Sequence, residues 1–228
     1  MKLSVLPLLF VSLASPSFCQ ESGAHDHSAK GGKVIQLARD LEIRLAVDAL
    51  PMHLRDKAGV WVLSDTGYVK VKDASNPFTC IVSRRGGNFY PVCFDEEGAH
   101  TILPAFMDDA ALRLKGASDE DTERQIAEGF ASGKYRPPSK PGIAYMLSPA
   151  TYLLMNGKLT RSVAHVMFYA PYLTDADIGG VMGKSPFVDR PGPHGMIIVP
   201  AGQKERETAI TQEAELILEV EKAIGLKP

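Results

Sequence analysis

Charge of one sign, cysteine and long apolar runs are all scarce in this chain, and each scarcity excludes something. Lys and Arg number 25 against 27 Asp and Glu, a formal net charge of -2. No overall surplus marks a polyanionic partner, so nucleic acid binding is not expected. Past the first residues no apolar stretch approaches the about 20 residues a membrane-crossing helix needs, because charges or prolines break each one. No membrane span is expected. The three cysteines, Cys19, Cys80 and Cys93, include no Cys-x-x-Cys pair, which argues against a metal clip or a redox dithiol. His-Glu-x-x-His, Gly-x-Ser-x-Gly, the P-loop and Gly-x-Gly-x-x-Gly are also missing, so the familiar hydrolase and nucleotide-binding signatures are absent.

What is there begins with Met1-Lys2, an apolar run from Leu3 to Leu13 and the small-residue stretch Ala14-Ser15-Pro16-Ser17, the pattern of a secretory signal peptide. Small residues permit cleavage after Ser17 or after Cys19; the second leaves no odd thiol and starts the mature chain at Gln20. A lipid anchor on Cys19 would need an aliphatic residue that Pro16-Ser17-Phe18-Cys19 lacks. Residues 1–19 are therefore read as a signal, 20–32 as a polar flexible leader, and 33–228 as one globular domain of a secreted or periplasmic protein. An apolar content of 45% suffices for its core.

Within that domain Val34, Leu37, Ala38, Leu41 and Leu45 predict an N-terminal amphipathic helix. β-rich blocks follow at Val60 to Leu63, Tyr68 to Lys72, Phe78 to Ser83 and Phe89 to Phe94. Helical spacing returns over Leu103 to Leu114 and, after the cap Ser118, over Asp119 to Phe130. Strands are expected again at Ile143 to Leu147, across a hairpin at Asn156-Gly157, at Val163 to Tyr169 and at Met196 to Val199. Ile210, Ala214, Ile217, Val220 and Ile224 predict a C-terminal helix with one buried stripe. Two groups of strands with helices between them predict an α+β fold with a mostly antiparallel sheet, an N-terminal helix, a central helical pair and a C-terminal helix.

If Gly86-Gly87 forms a two-residue hairpin loop, counting back from it sets Cys80 opposite Cys93, within the span of a disulfide. Asp65-Thr66-Gly67 has the letters of an aspartic-protease loop, but that chemistry needs two such loops, and the composition is that of an ordinary turn. Of the six histidines, His25 and His27 flank Asp26 on the leader and could chelate a soft divalent metal, where the ordering cost favours a weak scavenging site over a catalytic one. His53 and His100 read as surface or capping residues. His165 and His194 both stand at the starts of apolar strands. If those strands run parallel, the two imidazoles share one sheet edge; if antiparallel, they lie at opposite ends. The first case would make His165, His194, Tyr145 and Tyr169 candidates for catalysis, and His165, His194, Asp175 and Asp177 candidates for a divalent metal. Lys134 to Pro141 could form a small anion-binding patch or be solvated.

The series Asn76-Pro77-Phe78-Thr79-Cys80, Pro91-Val92-Cys93-Phe94-Asp95, Gly142-Ile143-Ala144-Tyr145-Met146-Leu147, His165-Val166-Met167-Phe168 and Pro193-His194-Gly195-Met196-Ile197-Ile198-Val199-Pro200 resembles a family of uncharacterised exported bacterial proteins. The resemblance covers about Ala49 to Pro200 and departs at Pro77, where that family commonly has glycine, and in the long C-terminal helix. It implies one fold, export and a cysteine pair, and no activity. Three functional classes follow. The absence of any chemical signature favours a non-catalytic binding module; the others are a metal-dependent or acid/base enzyme using His165 and His194, and a protein–protein partner acting through the C-terminal helix.

Overall fold

The structure, a computed structural model, describes residues 34–226. The expected signal peptide and the leader with His25-Asp26-His27 lie outside them. Helix α1 (Arg39–Asp48) and the single turn α2 (Met52–Arg55) precede a hairpin of β1 (Gly59–Ser64) and β2 (Gly67–Lys72). β3 (Thr79–Ser83) and β4 (Tyr90–Phe94) form a second hairpin, followed by α3 (Glu96–Thr101), α4 (Leu103–Leu114) and α5 (Asp119–Ala131). After β5 (Ile143–Met146), β6 (Tyr152–Met155) and β7 (Lys158–Arg161) make a separate hairpin. β8 (His165–Tyr169), the turn α6 (Asp175–Ile178), β9 (Phe187–Asp189) and β10 (Met196–Pro200) then lead into α7 (Gln203–Gln212) and α8 (Ala214–Ala223).

Eight strands form one sheet in the order β2-β1-β3-β4-β5-β8-β10-β9. All its pairs are antiparallel except β1 with β3. The fold is thus α+β with a largely antiparallel sheet. Alternation of side chains assigns the layers. Cys80, Val82 and Cys93 face α1 and α8, packing with Leu41, Leu45, Leu216, Ile217 and Val220. Ile81, Val92 and Phe94 face the other way, toward Ile102, Leu103 and Phe106 of the α3–α4 layer. β3 and β4 are therefore buried on both faces, whereas on β8 His165, Met167 and Tyr169 are buried and Phe168 is 43% exposed, so the α1–α8 layer ends before that strand.

Turn chemistry sets the hairpins. Gly86 and Gly87 have φ of 62° and 73°, and Asn88 N–H donates to the Arg85 carbonyl at 3.1 Å, a two-residue turn whose positive φ values glycine adopts without steric cost. The resulting register opposes Cys80 to Cys93, and their sulfurs are bonded at 2.00 Å. Asn156-Gly157 turns the β6–β7 hairpin in the same way.

Two expected helices differ. α1 starts at Arg39, not Val34, because Arg84 Nε takes the Ile35 carbonyl at 2.9 Å and holds that segment extended. The C-terminal helix breaks at Glu213, whose carboxylate pairs with Arg55 at 2.8 Å. Only α8 carries a buried stripe, Leu216, Ile217 and Val220, while α7 buries none of its residues.

Candidate functional site

β8 and β10 are neighbours, as their apolar composition leads one to expect, but they run antiparallel and put Pro200, not His194, opposite His165. The shared edge that the parallel alternative required does not form. The expectation that His165 and His194 meet with Tyr145 or Tyr169 is corrected accordingly: each histidine stands at the start of its strand, and the antiparallel pairing puts them at opposite ends of the β8–β10 pair. His165 is buried, donates Nδ1–H to the Val163 carbonyl at 2.7 Å, and has its pKa lowered by burial. Tyr145 packs edge-on against Phe78 at 5.5 Å, on the face toward α1. Tyr169 points to the other face, where its hydroxyl donates to Asp95 Oδ1 at 2.9 Å; burial and then that carboxylate raise its pKa.

Asp95 also accepts the N–H groups of Gly98 and Ile143, so this contact ties α3, β5 and β8 together. A Cβ on Gly98 would stand 2.0 Å from the Tyr169 hydroxyl, which explains a glycine inside α3. Asp177 closes a capping box with Thr174, and Asp175 Oδ1 accepts Val188 N–H at 2.6 Å. Both carboxylates therefore have local structural work. Among the described residues no three His, Cys, Asp or Glu side chains gather in a way that could hold a metal. Asp65 and Thr66 form the tip of the β1–β2 turn. In the Lys134–Pro141 loop, Lys134 pairs with Asp108 at 2.7 Å and Ser139 N–H with Glu97 at 2.6 Å, so two acids already serve the loop.

His194 is the one candidate with an unusual environment. Its Nε2 is 3.4 Å from Arg85 Nη2, its ring lies 5.0 Å from that of Phe130, and its Nδ1 is buried without a hydrogen-bond partner among the described residues. Arg85 opens the β3–β4 turn and His194 precedes β10, so in the antiparallel sheet they stand at opposite strand ends. Their side chains meet on the side of the sheet covered by α4 and α5, Arg85 against Phe106 and His194 against Phe130. Burial first, and then the charges of Arg85 and Arg190, push the His194 pKa down to about 3. The unfolded imidazole takes a proton below its ordinary 6.5, while the folded one does so only near 3, so stability is lost as pH falls through that window. Stability measured by urea titration should fall by about 1–2 kcal/mol from this group between pH 6.5 and 5. His194→Gln should remove that part of the slope. Asp48, whose pKa burial raises to about 6, contributes with the opposite sign, so the comparison is variant against wild type; identical slopes would refute the assignment.

A cleft that pattern reading did not single out lies between the first hairpin and the α3–α4 layer. It has a volume of about 480 Å³ and is lined by Trp61, Pro77, Leu103, Pro104 and Met107, with Lys70, Thr79, Glu96 and His100 among its polar groups. β1 alternation sends Trp61 to this face, since Val60 pairs with Cys80 on the other. Leu103 and Met107 are one helical turn apart and share a face of α4. Lys70, opposite Trp61 in the hairpin, places its ammonium 5.9 Å from the indole centroid. His100 donates Nδ1–H to the Glu96 carbonyl at 2.7 Å, which leaves Nε2 as an acceptor. The available signals were the lone tryptophan and the Asn-Pro-Phe-Thr segment, but neither shows which elements will face each other. Comparison of the chain with known protein families, characterised proteins and solved structures returns no match.

Proposed function

We propose that the protein is an exported binding module that holds a small, largely apolar ligand in the Trp61 cleft. The observation that carries this reading is the cleft itself: its volume falls in the range of about 300–1,000 Å³ used by small-molecule sites, and its lining is mostly apolar with a few polar groups. Trp61, Leu103 and Met107 would take the body of the ligand, while Lys70, Thr79 and the His100 Nε2 acceptor orient its polar end. Pro77 and Pro104 stiffen the walls, which lowers the ordering cost of binding. Export rests on the Met1–Cys19 pattern and fits a bonded cysteine pair.

Trp61 is the sole tryptophan, so it reports on the cleft directly. Titration with anilinonaphthalene sulfonate, an aromatic probe with one charged end, should quench and shift its emission with saturation. Met107→Lys, which puts a charge into the apolar lining, should weaken that binding at least about tenfold, or 1.4 kcal/mol. Emission indifferent to the probe, or equal affinity in the variant, would remove the cleft from consideration.

A further inference from the structure

Arg85 carries a largely buried guanidinium with few protein acceptors close by. The residue is 6% exposed and its guanidinium lies 5.0 Å from the Phe106 ring centroid. Of five N–H donors, the side chain brings one to within 3.5 Å of a partner among the described residues, the 3.4 Å approach to His194 Nε2. Its Nε stands 3.8 Å from Asp109 Oδ2, too far for a hydrogen bond. Asp109 is already engaged, since Arg113 Nε sits 2.6 Å from its Oδ1 and Arg113 also holds Asp119.

Arg190 brings a second cation to the same corner. Its own acid, Asp189, stands off at 3.7 Å, and its side chain is 34% exposed. Burial and then the charge of Arg190 push the Arg85 pKa down to about 10. The unpartnered Nδ1 of His194 completes the corner. Two guanidiniums close together, whose nearest carboxylates stand 3.8 and 3.7 Å off, repel each other, an arrangement that a bound anion relieves. Two guanidinium forks suit the planar or tetrahedral oxygens of such a group.

We infer that the Arg85–Arg190–His194 corner binds a small oxyanion, phosphate or carboxylate, free or as the end group of a larger solute. Arg190 is the partly exposed outer fork, Arg85 the buried fork held against Phe106, and His194, whose Nε2 faces an Arg85 N–H and so leaves the proton on Nδ1, the neutral third donor. The corner stands apart from the Trp61 cleft: Leu103 and Met107 of α4 line the cleft, whereas Phe106 and Asp109 of the same helix face Arg85.

The test is thermal melting of the full chain in sodium phosphate, and separately in sodium acetate, each raised to about 30 mM against sodium chloride of equal ionic strength. A saturable rise in Tm of about 3–8 °C is expected for a site filled well above its Kd. Phosphate alone would identify a phosphoryl group, and acetate a carboxylate; either supports the site. Arg190→Gln, which removes one of the two like charges, should melt no lower than wild type in chloride and bind the anion at least about tenfold more weakly. Arg85→Lys, which keeps the charge and loses the fork, should weaken binding likewise; if it does not fold, Arg190→Gln decides alone. No shift beyond chloride for both anions, or wild-type affinity in Arg190→Gln, would overturn the proposal.

Discussion

Arg84→Met is expected to lower stability by about 3–5 kcal/mol, because it removes one partner of a buried ion pair and leaves the other charge without compensation. Arg84 and Glu42 side chains are 3% and 1% exposed. They meet fork to fork, Nη1 to Oε1 at 2.7 Å and Nη2 to Oε2 at 3.0 Å. The arginine also donates to the carbonyls of Ile35 and Val82, and Glu42 accepts Leu63 N–H at 2.9 Å. The pair thus fastens α1 and the segment before it to the ends of β1 and β3. The double variant Glu42→Leu, Arg84→Met should recover part of the loss, since two apolar side chains bury no lone charge. Recovery stays partial because Leu63 N–H loses its acceptor. Urea titration of the three proteins measures this, and a single variant within about 1 kcal/mol of wild type would contradict the pair's role.

Replacing Cys80 and Cys93 together with alanine should cost about 2–4 kcal/mol, the chain-entropy value for a closed loop of this length. The cysteines are 13 positions apart. Both are fully buried, and Cys93 Sγ lies 3.3 Å from the Ala46 carbonyl beneath α1, so the variant also leaves space under that helix. Alkylation in denaturant followed by intact-mass measurement should modify neither thiol without reductant and both with it. Two modified thiols in unreduced exported protein would show that the bond is not formed.

The cysteine pair was legible because a hairpin's register follows from its turn, and Gly86-Gly87 leaves few turns to choose from. The helices of the central pair were legible for a similar reason: Ser118 caps α5 through Asp121 N–H, and Gly116 and Gly133 follow the helices at φ of 87° and 79°. The Trp61 cleft and the Arg85 corner were not. Arg84-Arg85 reads as a plain basic dipeptide, yet strand alternation sends one side chain to Glu42 on α1 and the next to Asp109 on α4. Neither acid is near in sequence, and nothing local tells a buried arginine from a solvated one.

From the residues alone came whatever depends on neighbours along the chain: strand and helix periods, turn types, helix caps and the opposition of Cys80 to Cys93. These follow from steric limits on φ and ψ and from which face of an element is apolar. The tertiary structure decided strand order and direction. Ile143 to Met146, His165 to Tyr169 and Met196 to Pro200 are equally apolar whether parallel or antiparallel, and only the assembly of the whole sheet set β8 against β10 in opposite directions. That choice separated His165 from His194. The packing of α4 and α5 on one side of the sheet then gave Arg85 and His194 a common place, against Phe106 and Phe130, which no neighbour along the chain announces.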